Sequence, residues 1–287
     1  MVKLTDIGEF GLIERVRRKF AKRSSQAPIG IGDDAAALVC SRGMMLLATT
    51  DMLIEGVHFD LATTGAASLG WKSAAVNLSD IAAMGGTPRF ALVALGIPRR
   101  FTVGQVEEFY RGFSRLAARH GTLLVGGDTC ASQKDLIISV TVLGEAFRSQ
   151  IVRRGEARPG DLVFVTGKLG DSAAGLELLQ AGAAGKKPGA KRLVERHLQP
   201  VPRVAWGRKL AESGCASAMI DVSDGLSSDL GHLCDESGVG AEIIAERIPL
   251  SRDILSVRGL SRPPLSYALS GGEDYELLFT VPPRKKA

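Results

Sequence analysis

Aromatic residues and long apolar runs are the first features that this sequence lacks. Aromatic side chains make up only 5% of the 287 residues, whereas glycine occurs 34 times. This balance indicates many tight turns and close backbone approaches rather than a large aromatic core. No apolar run approaches 18 residues, and the first residues lack the apolar stretch of a signal peptide. We therefore expect a cytoplasmic protein that does not span a membrane.

Cysteine pairs of the kind that bind zinc are also missing. The four cysteines show no Cys-x-x-Cys spacing and are widely separated, at Cys40, Cys130, Cys215 and Cys234. Scattered cysteines in a chain of this length are typical of reduced, mostly buried thiols. The pattern argues against a zinc module.

A strong charge of one sign is absent too. The chain has 36 Lys and Arg against 31 Asp and Glu, a formal net charge of +5. The basic residues are dispersed, and no aromatic residues lie between them as a base-stacking surface would need. We therefore predict no nucleic-acid partner. A basic exterior also suits an enzyme that steers polyanionic substrates.

The length of the chain favours two domains, because a single hydrophobic core usually stops growing near this size. The apolar pattern weakens from Phe147 to Asp161, where several arginines precede a Pro-Gly-Asp turn. We place the domain boundary there, between residues 1–148 and 149–287. Strands alternate with helices in both halves, with irregular connections. This favours two α/β domains, each an α+β sandwich, over a doubly wound sheet.

Hydrophobic periodicity predicts the order of the elements. In the first half we expect a helix capped by Thr5 or Asp6, a strand that ends at Thr50-Asp51, and a strand from Leu123 to Val125 that runs into Gly126-Gly127-Asp128. The other expected helices lie near Ala67 to Ala83, Val103 to Arg119, Ser172 to Ala181 and Leu226 to Asp235, with two more between Gly189 and Ala218. The other expected strands are Phe90 to Ile97, Ile137 to Leu143, Leu162 to Thr166, Ala218 to Ile220 and Leu277 to Val281.

Acidic residues beside glycine, serine or threonine recur at the predicted strand ends and helix starts. Any one of them could be a helix cap or a turn residue, because Asp is favoured at both. Their repetition argues for a shared role, since converging carboxylates repel one another unless they bind protons or cations. The sites are Asp33, Asp34, Asp51, Asp80, Asp128, Asp221, Asp224, Glu273 and Asp274.

Oxygen ligands of this kind favour Mg²⁺, and the lack of a Cys and His cluster argues against zinc. No EF-hand loop occurs. Mg²⁺ beside glycine turns that offer backbone N–H groups is the apparatus of phosphoryl transfer. The P-loop and the nucleophile elbow of hydrolases are both missing. The turn from Gly30 to Ala35 loosely matches a dinucleotide fingerprint, but its two carboxylates would repel a pyrophosphate.

One of the four histidines stands out. His58 lies shortly after Asp51 in the segment Glu-Gly-Val-His-Phe, where an anionic substrate group would give it a partner. His120, His197 and His232 lie in helical contexts, and we expect them to be structural or exposed.

Several of these segments, in this order, resemble the thiamine-monophosphate kinase family, of the superfamily that includes aminoimidazole ribonucleotide synthetase. The resemblance covers essentially the whole chain. The Gly-Asp-Asp and Gly-Gly-Asp pieces are shared across the superfamily, whereas two other pieces point more narrowly to the kinases. These two are Glu55-Gly56-Val57-His58-Phe59 and Gly271-Gly272-Glu273-Asp274-Tyr275-Glu276-Leu277.

The resemblance implies ATP-dependent conversion of thiamine monophosphate to thiamine diphosphate, in a homodimer whose N-terminal sheets pair. Direct transfer to a phosphate needs no general base, so no catalytic side chain is expected. The implied metal ligands are Asp33, Asp34, Thr50, Asp51, Asp80, Asp128, Asp221 and Asp224. The implied ATP contacts are Asp34, Thr49, Thr50, Gly127, Asp128, Arg153, Ser223 and Tyr110, with Arg154 an alternative to Arg153. The implied contacts to thiamine monophosphate are His58, Asp80 and Glu273.

The C-terminus departs from the family pattern, because family members continue for some tens of residues past the last strand. That tail usually supplies an aromatic contact to the thiamine rings, so we expect either a truncated chain or weaker substrate binding. Two other functions remain open at this point. One is a sibling ATP-dependent enzyme of the same superfamily, and the other is a non-enzymatic metal-binding protein.

Overall fold

A computed structural model of the protein describes residues 4–22, 24–27, 36, 38–183 and 188–285. The contacts divide the chain into two compact units. Unit 1 comprises Met1–Ile81 and Thr87–Arg148, and unit 2 comprises Ala82–Gly86 and Ser149–Ala287. The two residues that flank the predicted boundary, 148 and 149, fall in different units. The segment Ala82–Gly86 groups with unit 2, which the sequence pattern did not indicate.

Unit 1 contains, in chain order, α1 (Leu4–Phe20), β1 (Met44–Ile54), α2 (Ala66–Ala83, apart from its last two residues), β2 (Thr87–Pro98), α3 (Val103–Arg119), β3 (Leu123–Ser132) and β4 (Ile137–Phe147). The strands form one sheet in the order β1-β4-β2-β3. β4 is antiparallel to both β1 and β2, and β3 is parallel to β2. Alternate residues of the central strands, among them Val93, Leu95, Ile138 and Val140, are buried and form part of the core.

Two glycines bring the backbones of α2 and α3 into contact. A Cβ atom at Gly70 would lie 1.9 Å from the carbonyl oxygen of Phe109, and one at Gly112 would lie 1.8 Å from that of Ala67. On the sheet side, Ile81 of α2 lies against Gly144 of β4. The helix is therefore held by both α3 and the sheet, and this fixes the position of the side chains along it.

Unit 2 contains, in chain order, β5 (Leu162–Val165), α4 (Asp171–Gln180), α5 (Pro188–Leu198), α6 (Val204–Ser213), β6 (Ala218–Asp221), α7 (Leu226–Ser237), α8 (Arg252–Ser256), α9 (Pro264–Ser270) and β7 (Leu277–Val281). Its sheet has the order β5-β7-β6, with β7 antiparallel to both neighbours. One buried cluster joins β6, β7 and α7 through Ile220, Leu278 and Leu230. A second joins α4, α5 and α9 through Leu178, Leu193 and Tyr267.

Most predicted elements are present, but the predicted ends of two strands are wrong. β1 continues through Asp51, which is paired with Val140, and β3 continues through Asp128, which is paired with Ala94. Asp80 also lies near the end of α2 rather than at the start of a helix. Aspartate is depleted in β-strands. Here the pairing of β1 with β4, and of β3 with β2, outweighs that local preference. The short helices α8 and α9 were not predicted.

The expectation that the cysteines are mostly buried is also wrong. All four cysteines are free, but Cys40 and Cys130 are exposed and Cys215 and Cys234 are half-buried. Among the helices that the structure describes, none is long and apolar enough to cross a membrane.

Candidate active site

The central feature of unit 1 is a pair of carboxylates, Asp51 on β1 and Asp80 on α2. Thr49 Oγ1 donates a hydrogen bond of 2.5 Å to Asp80 Oδ2. Strand alternation directs Asp51 to the same face as Thr49. Burial, and then the charge of Asp80, raise the pKa of Asp51 to about 6. The fold thus holds two carboxylates together, an arrangement that favours a bound cation.

Two other predicted ligands in unit 1 are not brought to this pair. Thr50 lies on the opposite face of β1, where its hydroxyl donates to the carbonyl oxygen of Val140 and accepts from Thr141 Oγ1, both at 3.1 Å. Asp128 is exposed on β3, three strands from β1 in the sheet order. That separation corresponds to about 14 Å.

Two predicted ATP contacts have structural roles of their own. Gly127 has φ +154°, and a Cβ atom there would lie 1.9 Å from the carbonyl oxygen of Val93. The glycine is therefore required for the close approach of β3 to β2. Tyr110 is only 5% exposed and stacks on Phe20 at 5.7 Å between ring centroids, and burial raises its pKa. The assignment of both residues to ATP stays a prediction.

His58 is exposed and its ring orientation is set by the backbone. The N–H group of Ile54 donates to His58 Nδ1 at 3.1 Å. Because Nδ1 is the acceptor, the hydrogen of the neutral ring lies on Nε2. That hydrogen is suited to an anionic oxygen.

In unit 2, the loop from Asp221 to Gly225 connects β6 to α7. Asp221 is buried at the end of the strand, and Asp224 is exposed just before the helix. Asp229, on the first turn of α7, reaches back to this loop. Its Oδ2 atom accepts the backbone N–H groups of Asp224 and Gly225, each at 3.1 Å. Burial raises the pKa of Asp229, and these N–H groups partly counter that rise.

The segment from Gly271 to Glu276 lies against the same loop. The N–H group of Glu273 donates to the carbonyl oxygen of Ser223 at 2.8 Å, and that of Tyr275 donates to Val222 at 2.9 Å. Glu273 and Tyr275 have positive φ values of 67° and 50°, which are uncommon for residues other than glycine. A predicted nucleotide contact and a predicted substrate contact therefore share one pair of hydrogen-bonded segments.

Sequence reasoning missed a second group of residues, which supports Glu273. His197 of α5 is 4% exposed, and its Nδ1 lies 3.2 Å from Glu273 Oε2 and 3.1 Å from Ser172 Oγ. Asp274 accepts the N–H groups of Gly170 and Ser172, at 2.6 and 3.1 Å, while burial raises its pKa to about 7. His197 was expected to be structural or exposed; it is buried, and the expectation missed its contact with Glu273.

An interrupted apolar stripe could have identified Asp229 and His197, which the sequence reasoning missed. Leu226, Asp229, Leu230 and Leu233 recur at helical spacing and are all buried, so Asp229 interrupts the apolar stripe of α7. His197 likewise follows Leu193 and Val194 on the buried side of α5. A polar side chain within an apolar stripe requires a partner.

Arg153, the predicted arginine contact to phosphate, has a carboxylate partner within its own segment. This residue is exposed and pairs with Glu156, whose Oε1 accepts from Arg153 Nε at 2.7 Å. The neighbouring Arg154 is also exposed. Both assignments stay predictions, and Asp33 and Asp34 lie outside the described residues.

The residues present suit a magnesium ion that is shared with phosphate oxygens. In the described part of the chain, no three His, Cys, Asp or Glu side chains are grouped so that they could hold a metal ion. Mg²⁺ is commonly bound by one or two carboxylates together with substrate phosphates and water. The pair of Asp51 and Asp80 fits that mode, whereas a closed all-protein cage is not formed among these residues.

Comparison with known proteins gives matches over both units. The family models for AIR synthase related protein match the chain, the N-terminal domain over residues 32–146 and the C-terminal domain over residues 158–287. The thiamine-monophosphate kinase of Aquifex aeolicus is 42% identical over 283 residues, which cover 98% of this chain and 88% of the relative.

Solved structures match to a similar extent. Thiamine-monophosphate kinase from Stenotrophomonas maltophilia aligns with a TM-score of 0.87 at 41% identity, covering 98% of this chain and 88% of the other. AaThiL complexed with AMPPCP and TMP aligns with a TM-score of 0.81 at 41% identity, covering 100% of this chain and 89% of the other. These similarities extend over nearly the full length of each chain.

Proposed function

This chain belongs to the thiamine-monophosphate kinase family, and we propose that it transfers the γ-phosphate of ATP directly to thiamine monophosphate with the help of Mg²⁺. As a member of this family it is an enzyme, a thiamine-phosphate kinase with two AIR synthase-type domains. The structural observation that carries the magnesium proposal is the placement of Asp51 beside Asp80, with the pKa of Asp51 raised to about 6.

The chemistry of the acceptor explains why no general base is required. A phosphate monoester is largely dianionic at neutral pH, so its oxygen is already a nucleophile, and together with ATP it brings roughly six negative charges. When bound, Mg²⁺ supplies positive charge that offsets the phosphates and the carboxylates. The acceptor oxygen forms a bond to the γ-phosphorus while the bond to the β–γ bridging oxygen breaks and ADP leaves. No phosphoenzyme is formed.

The protein's own residues bind and orient the two substrates in this proposal. Thr49 orients the carboxylate of Asp80, which together with Asp51 provides oxygen ligands. Ser223 and Asp224 contact the nucleotide and its cation, and His58 and Glu273 contact thiamine monophosphate. The Nε2–H of His58 is suited to donate to the acceptor phosphate because its Nδ1 is engaged by Ile54.

The direct test is incubation with ATP, Mg²⁺ and thiamine monophosphate, followed by chromatography for thiamine diphosphate. We expect the wild-type protein to form the diphosphate, and we expect Asp51→Asn and Asp224→Asn to lose turnover while remaining folded. Asp235→Asn, at an exposed position of α7, is the matched control and should retain activity. Near-normal kcat in either active-site variant would disprove the assignment of that residue.

The same assay separates the two alternatives. ADP release that is not accompanied by thiamine diphosphate would indicate a sibling ATP-dependent enzyme with another acceptor. Magnesium binding without any ATP turnover would indicate a non-enzymatic metal-binding protein.

We also propose that the protein forms a homodimer through the sheet of unit 1. Among the described strands β1 lies at the edge of its sheet, and Leu46 and Met52 on it are 51% and 54% exposed. Exposed apolar residues on a sheet are typical of an interaction surface. Light scattering should give twice the chain mass, and Met52→Lys should lower it, whereas the control Leu255→Lys in unit 2 should not. A wild-type monomer at micromolar concentration would contradict this proposal.

A further inference from the structure

Asp229 is a buried carboxylate whose position is not explained by the packing of α7. It is 1% exposed and lies among the leucines of the helix's apolar stripe. Burying a carboxylate there is costly unless the group receives hydrogen bonds. Asp229 receives them from the loop that precedes its own helix, through the N–H groups of Asp224 and Gly225.

These contacts take the place of an ordinary helix cap. The residue before α7 is Gly225, with φ +108°, and it provides no side-chain cap. A Cβ atom at that position would lie 3.0 Å from the carbonyl oxygens of Leu269 and Gly271, so a capping side chain is disfavoured there. Asp229 therefore caps the loop from within the helix, while its own N–H group donates to the carbonyl oxygen of Gly225 at 3.0 Å.

The opposite side of the loop is held by other partners. The carbonyl oxygens of Val222 and Ser223 accept from Tyr275 and Glu273, and a Cβ atom at Gly272 would lie 2.4 Å from the oxygen of Ser223. The N–H groups of Asp224 and Gly225 thus point to Asp229. The carbonyl groups of Val222 and Ser223 point to the 271–276 segment, where Glu276 also accepts the N–H group of Val222 at 2.8 Å. With its backbone held on both sides, the loop presents Ser223 and Asp224 through their side chains.

This arrangement also changes how a phosphate can bind. Backbone N–H groups at the start of a helix commonly bind phosphate directly. At α7 the N–H groups of Asp224 and Gly225 already donate to a carboxylate, which repels an anion. These two N–H groups are therefore not available to a phosphate, and Ser223 and Asp224 face it with their side chains.

Given the proposed function, we propose that Asp229 is a positioning residue that fixes the 222–225 loop in its nucleotide-binding conformation. Its carboxylate acts on the nucleotide only through the loop, by accepting the N–H groups of Asp224 and Gly225. Loss of the acceptor releases the loop on one side. Nucleotide affinity then falls, while the affinity for thiamine monophosphate changes less.

The test compares Asp229→Ala, Asp229→Asn and the control Asp235→Ala, which lies on the exposed side of the same helix. Calorimetry with AMPPCP and Mg²⁺ should give a Kd raised about tenfold in Asp229→Ala, since one or two hydrogen bonds that hold the loop are lost. Asp229→Asn keeps a carbonyl acceptor and should recover part of this loss. The Asp235→Ala control should bind like the wild type.

Hydrogen exchange gives a readout that needs neither metal nor turnover. Amide exchange in a peptide that covers residues 222–230 should be faster in Asp229→Ala than in the wild type, with Asp229→Asn in between. Unchanged exchange, or an unchanged Kd for AMPPCP in the folded variants, would overturn the proposal. Equal losses of affinity for AMPPCP and thiamine monophosphate would also overturn it, because they would show that Asp229 only supports the fold.

The binding arm remains informative if the proposed function fails. A wild-type protein that binds AMPPCP but forms no thiamine diphosphate would refute the kinase proposal alone. In that case the Kd and exchange measurements would still decide the role of Asp229.

Discussion

Asp51 is a residue whose placement costs stability in the absence of a cation. Its carboxylate lies near Asp80, and burial and that neighbouring charge raise its pKa from 3.8 to about 6. Between these two pH values the folded state holds a proton that the unfolded chain has released. The free energy of unfolding therefore falls as the pH rises through this interval, and the full penalty remains above about pH 6.

We expect Asp51→Asn to remove this penalty. With EDTA present, the variant should be more stable than the wild type at pH 8, by about 1–2 kcal/mol once solvent screening is allowed for. Near pH 4 the difference should largely disappear. Urea unfolding of both proteins at the two pH values measures this change, and a difference that is independent of pH would contradict it.

His58 is the second residue with a specific expectation. Because the N–H group of Ile54 donates to His58 Nδ1, the Nε2–H group is the one available to an acceptor phosphate. His58→Ala should weaken thiamine monophosphate binding by about 1–3 kcal/mol, if a charge-assisted hydrogen bond is lost. The Kd for AMPPCP should change much less. Calorimetry with each ligand decides the matter, with the exposed His232→Ala as control. Equal losses for both ligands would mean that His58 only shapes its loop.

Single residues could be predicted where they lie in a recurrent motif, and not where their partners come from distant segments. The pair of Asp51 and Asp80 was found because each lies beside serine or threonine in a recurrent format. His197 was expected to be structural or exposed because it lies in a predicted helix, and Asp229, also inside a predicted helix, was not singled out. Their partners come from elements that pattern alone does not bring together. Only the apolar stripes that they interrupt indicated that they are buried.

At the scale of elements, the crossing of α2 and α3 determines where Asp80 lies. The two helices approach through Gly70 and Gly112, where any Cβ atom would meet a backbone carbonyl group. Helix backbones are rigid, so a side chain there forces the whole contact apart. Any such shift moves α2, and with it the carboxylate that Thr49 orients.

Gly112→Ala should therefore destabilise the protein by about 1–3 kcal/mol, the range typical of overpacking. Gly104→Ala is a matched control on the same helix, because the nearest atom to its Cβ is 3.9 Å away. That change should be neutral or stabilising, by up to about 1 kcal/mol. Urea denaturation of both variants gives the comparison. Equal effects of the two substitutions would show that the crossing is not tight.

Element types were predictable where periodicity was strong, as at α3, which was predicted with the bounds it has in the structure. Its amphipathic pattern and the capping box of Thr102 and Gln105 act within one segment. The ends of β1 and β3 were not predictable, because they depend on β4 and β2, which are distant in sequence. The prediction from local propensity placed the ends of both strands too early, at residues that strand pairing keeps within the sheet.

At the scale of the whole molecule, the predicted phosphate-binding residues are divided between the two units. Asp51 and Asp80 belong to unit 1, and Ser223 and Asp224 belong to unit 2. The predicted two-domain α/β architecture is confirmed by the matches to both AIR synthase-type domains. The motifs predict which residues make up the site, and that assignment stays a prediction, whereas the partners that hold these residues could not be predicted from motifs.

We expect Mg²⁺ and AMPPCP together to raise the melting temperature by more than the sum of their separate effects. In the proposed site the carboxylates repel the phosphates until a cation is bound with them, so we expect each ligand to strengthen the binding of the other. Differential scanning fluorimetry with either ligand and with both measures this effect. In Asp51→Asn the excess should be lost. Strictly additive shifts in the wild type would show that the two ligands bind independently.

The central position of β7 in unit 2 has a consequence for the order in which the protein is made. β5 and β6 pair with β7 rather than with each other, and the Thr166–Glu276 hydrogen bond closes a separation of 110 residues. A ribosome therefore releases both outer strands long before the strand that joins them. The last strand of unit 1 ends at Phe147, so this unit can fold during translation. Until β7 is made, β5 and β6 lack their pairing partner, and unit 2 is exposed to aggregation. Nascent chains stalled before Leu277 should show a protease-resistant unit 1 and a protease-sensitive remainder.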